Sequence, residues 1–271
     1  MHYSPLRYPG GKAFLKSEFE RILSHIELDK PVYVEPYAGG AGAALALLFA
    51  DKVSSIVIND YDKAIFSFWK AATEDSERFV NKIHTVPVTI KEWNKQKRIY
   101  EKKTADTFTL GFATFFLNRT NHSGVMNAWP IGGINQTGNF KIDARFNRED
   151  LARRIRKIGE HANRITVSKK DGIVLTREYL KQPNTFIYLD PPYFEKGAML
   201  YFRNYETKDH KSLADLLNKN ADKYWVLTYD EKSAIRDLYK GRDRSRLRLS
   251  YRVRGARVAS ELMIFSDTTK V

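Results

Sequence analysis

The sequence predicts an α/β fold: a doubly wound, mostly parallel sheet that ends in an antiparallel hairpin and is interrupted by a helical insertion. Three observations carry this. Residues 33–60 run strand, glycine turn, helix, β-branched strand, acid, which is one half of a doubly wound sheet. The same alternation resumes near residue 164, after a long stretch of different character. Arginine alternates with apolar residues over 244–253, the period of a strand with two unlike faces.

The elements follow in order. Tyr33-Val34-Glu35 is a short strand that enters the turn VEPYAGGAG, residues 34–42, and then the helical run AALALLFADK. SSIVIN, residues 54–59, is a second strand, ending at Asp60. Residues 61–83 read as one helix, with Ala64, Ile65, Phe68, Trp69 and Ala72 at helical spacing. The middle, 63–160, is rich in Lys, Arg, Asn and Thr and longer than a crossover needs, so it is expected to be an inserted subdomain between the parts 1–62 and 161–271 of the main domain. It holds the helical run FTLGFATFFLN, a glycine- and asparagine-rich segment over 118–139, and the helix NREDLARRIRKIGEHA, with Asn147 as N-cap. Strands follow at 164–168, 185–189 and 224–228, with helices at 210–218 and 232–239. The basic strand 244–253 and the run 262–265 complete the hairpin.

Composition excludes several classes. The 271 residues include no cysteine, so disulfides and thiolate metal sites are out, and no histidine or acid spacing marks another metal. No apolar stretch approaches the roughly 20 residues of a membrane helix, and MHYSPLRYPGGK lacks the apolar core of a signal peptide. The expectation is a cytoplasmic, intracellular chain, monomeric in solution. Lys and Arg total 46 against 32 Asp and Glu, a net charge of +14, which points to a polyanion. The excess clusters in KGRDRSRLRLSYRVRGAR, residues 240–257. There Arg244, Arg246, Arg248, Arg252 and Arg254 share one strand face, and guanidinium forks match phosphate oxygens.

The chemistry centres on FIYLDPPYF, residues 186–194. An apolar strand ends in Asp190, and Pro191 and Pro192 then lock the chain. Pro192 also biases Pro191 towards an extended ψ, which aims its carbonyl outwards. The Asp190 carboxylate and the Pro191 carbonyl become two fixed acceptors beside the Tyr193 ring. That set complements a planar base with an exocyclic amine: each acceptor takes one N–H and the ring stacks. The turn at 34–42 does not have the glycine spacing of a pyrophosphate loop, so an adenosine ligand without pyrophosphate fits better. Asp60 stands where an acid bonds ribose hydroxyls. Asp171, after the strand at 164–168, either accepts from an adenine amine, with the Ile173 backbone at the ring edge, or forms a plain Asp-Gly turn with Gly172. In RYPGGK, residues 7–12, a Pro-Gly-Gly turn separates Tyr8 from Lys12.

These motifs, in this order along nearly the whole chain, resemble the Dam-type (D12 class, α-group) DNA adenine-N6 methyltransferases. RYPGGK resembles the family's N-terminal motif, VEPYAGGAG its cofactor loop, IND (58–60) its ribose-binding strand end, and DPPY (190–193) its catalytic motif. FFLNRTNHSG (115–124) resembles its DNA-contacting insertion and ASELMIF (259–265) its last strand. The resemblance implies a Rossmann-like class I methyltransferase sheet, with 63–160 as a mainly helical target-recognition subdomain. It implies S-adenosyl-L-methionine as cofactor and no metal. Tyr8, Lys12, Glu35, Pro36, Tyr37, Gly39, Gly40, Asp60, Asp171, Gly172, Ile173 and Asp190 would bind that cofactor, and Asp190, Pro191, Pro192 and Tyr193 would be catalytic. Some relatives carry tryptophan where this chain has Tyr8.

The implied partner is double-stranded DNA, in a nucleoid-associated or phage-encoded setting. Arg119, Asn121, His122 and Ser123 are candidates for base or phosphate contact, since arginine reads guanine and asparagine reads adenine. Trp129 could wedge a base step, but is expected in the subdomain core. Two alternatives stay open at this level. The same proline-flanked chemistry methylates cytosine N4, protein glutamine or RNA bases, and a protein of this fold could bind nucleic acid without catalysis.

Overall fold

The computed structural model describes residues 3–7, 12–193, 205–251 and 257–270, with the side chains of Ala13, 248–251 and 257–260 also outside the description. Tyr8, Phe194, Arg252 and Arg254 and the side chain of Arg248 therefore lie outside it. The chain divides into two compact units, one of Lys12–Tyr61 and Ser168–Val271, the other of Met1–Gly11 and Asp62–Val167.

Seven strands form one sheet among the described residues: β1 Val32–Glu35, β2 Ser55–Asn59, β3 Ile165–Ser168, β4 Thr185–Leu189, β5 Trp225–Asp230, β6 Arg244–Tyr251 and β7 Arg257–Phe265. Their order is β3-β2-β1-β4-β5-β7-β6. β1 runs parallel to β2 and β4, β4 parallel to β5, and β7 antiparallel to both β5 and β6. This is the expected doubly wound sheet with its antiparallel C-terminal hairpin. Strand order reverses between β1 and β4, so the crevice beyond their carboxyl ends is where such sheets take ligands.

Alternation sorts the two faces of these strands. Tyr33, Phe186 and Tyr188 meet Phe19 on one face, with ring centroids 4.8 to 6.0 Å from it. Phe19 belongs to helix α1, Lys16–Leu23. Val34, Ile187 and Leu189 face the other way, into a cluster with Leu213, Leu217 and Leu227. Helix α2, Gly42–Phe49, has Ala43 to Leu48 all buried, as its uniformly apolar sequence requires.

The second unit carries helices α3 Lys63–Glu74, α4 Ser76–Thr85, α5 Ile90–Lys102, α6 Thr107–Thr120 and α7 Arg148–Gly159. The single helix expected over 61–83 is thus two. Asp62 caps the first by accepting from the Ala64 N–H at 2.7 Å, and the chain breaks at Asp75. The break swings Phe79 within 5.8 Å of Phe68 and 5.3 Å of both Phe112 and Phe115, a gain in buried aromatic contact that a straight helix would forfeit. The sequence reading also assigned no helix to α1, α5 or α8 (Gly172–Tyr179). In α5 only Trp93 and Gln96 are buried, so its apolar stripe is too narrow to mark a helix. The remaining α-helices among the described residues are α9, Thr207–Asn218, and α10, Ser233–Leu238.

Helices α3 and α6 cross closely at Gly111. A Cβ there would enter the Ser67 carbonyl and come within 3.0 Å of the Phe68 Cα. Backbone cannot swing aside as a side chain does. Gly111→Ala is therefore expected to cost about 1–3 kcal/mol, despite alanine's better helix propensity, as read by urea unfolding. An unchanged or raised midpoint would show that the two helices can part.

Candidate active site

The sheet brings the two predicted motifs together. The register pairs Val34 of β1 with Ile187 of β4, so the strand ends at Glu35 and Leu189 lead into neighbouring loops. Asp190 follows directly, with its side chain 18% exposed. Its described polar contacts fall on one oxygen: Oδ1 accepts from Thr228 Oγ1 at 2.8 Å and pairs with Lys12 Nζ at 3.3 Å. Thr228 is itself bonded to the Tyr188 hydroxyl at 2.8 Å. No described residue bonds Oδ2. Pro191 and Pro192 are buried and Tyr193 is half-buried. No backbone N–H among the described loop residues donates to the Pro191 carbonyl.

Lys12 opens a one-turn 3-10 helix, Lys12–Leu15, and its side chain is 7% exposed. Besides Asp190 it meets Glu261 Oε2 at 2.5 Å and the Tyr193 hydroxyl at 3.2 Å. Tyr193 donates to Glu261 Oε1. Burial alone would lower the lysine pKa, but Asp190 and Glu261 outweigh it and hold the ammonium charged. Burial pushes Asp190 up to about 6; Lys12 opposes the rise and Glu261 adds to it. Glu35 is buried too, and its Oε1 accepts from the Tyr33 hydroxyl and the Ala44 N–H, both at 3.0 Å. Burial still drives it up to about 8, those two bonds only moderating the shift.

The loop after β1 wraps tightly. Gly39 and Ala41 take positive φ values of 47° and 43°, and the Ala38 N–H donates to Asn59 O at 2.9 Å. The Gly39 N–H donates to Asp60 Oδ2 at 3.0 Å, so the predicted glycine turn and the predicted ribose acid are in contact. Pro36 and Gly40 are buried within the loop. Tyr37 lies over Gly172, where any Cβ would collide with its ring, and its hydroxyl meets that of Tyr205 at 2.6 Å.

Asn59, fully buried, was not anticipated. Its amide donates to Pro36 O at 2.8 Å and Lys170 O at 3.0 Å and accepts from the Lys170 N–H at 2.8 Å, clamping the loops after β1 and β3. Glu261 and Thr228 were missed as well; each sits mid-strand, where only the sheet order shows what it faces. At Asp171 one carboxylate oxygen is engaged in a helix cap. Its Oδ1 caps α8, accepting from the Ile173 N–H at 3.0 Å and the Val174 N–H at 3.2 Å. The Ile173 N–H is therefore taken by the cap.

In the other unit FFLNRTNHSG is fastened to residues 3–7. Asn118 accepts from the Arg7 N–H at 2.6 Å and donates to Arg7 O and Gly124 O, both at 2.9 Å. Asn121 is corrected as a base reader. It is fully buried, accepting from Trp93 Nε1 at 2.7 Å and donating to Val125 O and Met126 O at 3.0 Å. Reading a base would break all three bonds. Arg119 is half-buried and donates through Nε to Arg145 O at 2.8 Å. Burial, with Arg7 and Arg154 nearby, lowers it to about 10. His122 and Ser123 are exposed and, with Arg7, Arg145 and Phe140, line a cavity of about 350 Å³. Trp129 is 65% exposed rather than in the core, with Lys97 Nζ 5.6 Å from its ring. Arg244 and Arg246 are exposed on the sheet edge strand β6, and Arg246 pairs with Glu231 at 2.7 Å. Among the described residues no group of acids and histidines could hold a metal, and no helix is long and apolar enough to cross a membrane.

The chain is similar to a curated protein and to solved structures, and it matches one family model. A type II methyltransferase, M.CviBI of Paramecium bursaria Chlorella virus NC1A, is 23% identical over 279 residues, covering 95% of each chain. Among solved structures, a methylase-designated protein of Haemophilus influenzae covers 95% of this chain and 99% of its own at 10% identity and a TM-score of 0.33. Protein LPL1258 of Legionella pneumophila covers 96% of this chain and 86% of its own at 12% identity and a TM-score of 0.36. At those scores the structural likenesses add nothing to the topology. The model of the D12 class N6 adenine-specific DNA methyltransferases matches residues 8–253, and the chain belongs to that family.

Proposed function

We propose that the protein methylates N6 of an adenine flipped out of duplex DNA, with S-adenosyl-L-methionine as methyl donor. The observation that carries this is the convergence of Asp190-Pro191-Pro192-Tyr193 with the Glu35–Asp60 loop system at the point where strand order reverses.

The donor set fits a cationic ligand. Burial pushes two carboxyls of the crevice, Glu35 and Asp190, up to about 8 and about 6, and a cation bound beside them would favour their ionised forms. Glu35, Tyr37, Gly39 and Gly40 would hold the methionine end, Asp60 the ribose, and Gly172 the adenine edge, with Lys12 beside them. When bound, S-adenosylmethionine supplies an electrophilic methyl group on a positively charged sulfur.

The chain's own residues do the rest. Asp190 Oδ2 and the Pro191 carbonyl each accept one hydrogen of the target amine, which fixes its plane and points its lone pair away from both. Tyr193, anchored through its hydroxyl, offers a ring face to the extruded base, which costs a few kcal/mol to unstack. Positive charge grows on the amine during attack, and Asp190 faces it at once, without reorganisation. Asp190 Oδ2 can take the proton shed afterwards. Arg7, Arg145 and His122 around their cavity, and Arg244 and Arg246 on the edge strand, are the cations offered to DNA phosphates. Arg119 serves chiefly to hold the Arg145 segment in place.

Expression in a host lacking DNA methylation, followed by sequencing that detects modified bases, tests this. N6-methyladenine in one sequence context supports it. Unmodified adenine, from a protein that does bind the donor in calorimetry, would overturn it.

A further inference from the structure

We propose that Glu261 is the positioning residue of this active site: it fixes the Tyr193 ring directly and, through Lys12, sets how strongly Asp190 accepts a hydrogen bond. This rests on the methyl-transfer reading above.

The argument starts from the sheet. β7 runs antiparallel to β5, and Glu261 is in register with Asp230, the last residue of β5. The first half of the last strand thus lies at the edge where the parallel strands end and where the catalytic motif begins. Glu261 is only 2% exposed there. A carboxylate so deep in a strand costs free energy unless it is fully engaged.

Both its oxygens are engaged, each with a different element. Oε1 accepts the Tyr193 hydroxyl, and Oε2 accepts Lys12 Nζ at 2.5 Å. Lys12 completes the ring of contacts, reaching the Tyr193 hydroxyl at 3.2 Å and Asp190 Oδ1 at 3.3 Å. At one end the backbone of its rigid motif sets the plane of the Tyr193 ring, and Lys12 Nζ lies 5.8 Å from the ring centroid. The hydroxyl bond at the far end makes that plane a property of β7.

The charges explain the second half of the proposal. One ammonium is shared between two carboxylates, and the shorter contact goes to Glu261. Lys12 therefore does not neutralise Asp190 as a dedicated partner would. The set of three carries a net charge of −1 when Asp190 is ionised, facing Glu35, Tyr33, Tyr188 and Tyr229 around it. A site of net −1 suits an amine that becomes positive during attack. Replacing Glu261 by a neutral group would hand the ammonium to Asp190 alone, which makes Asp190 a weaker acceptor and a stronger acid.

The experiment compares wild type, Glu261→Gln and Tyr193→Phe by pH–rate profiles of kcat and by KM for the donor. Glutamine keeps an acceptor for Tyr193 or Lys12, so the fold is expected to hold, as a cooperative melt will show. Glu261→Gln should lower kcat by roughly 10–100-fold through misplacement, with KM for the donor little changed, and move the acid limb of kcat to lower pH. Tyr193→Phe keeps the Glu261 charge and should lower kcat with the acid limb unmoved. A kcat loss in Glu261→Gln with an unmoved acid limb means a merely structural role and overturns the proposal, as does unchanged kcat. If Glu261→Gln does not fold, Glu261→Asp replaces it: the charge stays, so a displaced limb there overturns the idea and an unmoved limb with reduced kcat supports it. A wild type without adenine methylation would instead sink the functional reading beneath.

Discussion

Asp190→Ala is expected to reduce methyl transfer by a factor on the order of 10³ or more while leaving the chain folded. The two halves have separate causes. The first is that Asp190 supplies one of only two acceptors aimed at the amine, and the one that carries charge. Without it the amine keeps only the Pro191 carbonyl, and the positive charge of attack has no facing anion. The second is that Asp190 contributes little to stability. Burial already pushes its carboxyl up to about 6, so its ionised form is held at a cost near neutral pH. Removing it leaves Lys12 paired with Glu261 at 2.5 Å, a neutral pair in place of a triad of net −1. Thr228 keeps the Tyr188 hydroxyl at 2.8 Å. Incorporation of tritium from labelled donor reads the activity, and a thermal melt reads the fold. Activity within tenfold of wild type would sink the assignment of Asp190; an unfolded variant would show that the triad is a structural requirement after all.

The placement of Asp190 was legible in the sequence because it is set locally. A strand, an acid and two prolines fix the direction of two acceptors within four residues. The glycine turn and Asp60 were legible for a similar reason, since each closes a strand end. Glu261 was not. Its residue type and spacing say nothing until β7 is known to run antiparallel beside β5, and only then does mid-strand become site edge. Asn59 likewise reads as one more strand residue until it is seen to bridge two loops. Asn121 failed in the opposite direction. Its place beside Arg119 and His122 resembled a base-reading set, but Trp93, on a helix the sequence barely marks, buries it and takes its acceptor. Trp129 was expected in the subdomain core, but it is 65% exposed. In each case the position of a group is legible where the backbone itself aims it, and is lost where a distant element decides.

Glu35 makes the second large prediction, on stability rather than rate. In the unfolded chain its carboxyl ionises around 4.5; in the folded protein burial holds the proton until about 8. Between those values the folded state binds a proton that the unfolded state has lost. Unfolding then releases a proton, so rising pH favours the unfolded chain. The contribution of neutral Glu35 is complete below 4.5, erodes as pH rises towards 8, and is gone above it. Glu35→Gln removes this titration while keeping an acceptor for Tyr33 and Ala44. Relative to wild type it is expected to gain a few kcal/mol of stability between pH 5 and pH 8. Urea unfolding of both proteins at the two pH values isolates the effect, because Asp190 titrates in both and cancels in the comparison. Parallel pH slopes would mean that Glu35 is ionised in the folded protein at neutral pH. Saturating methyl donor is expected to flatten the wild-type slope, since a cation held by the loop after β1 favours the ionised carboxylate. The deep acid that costs the free protein stability would then be what draws the charged donor in.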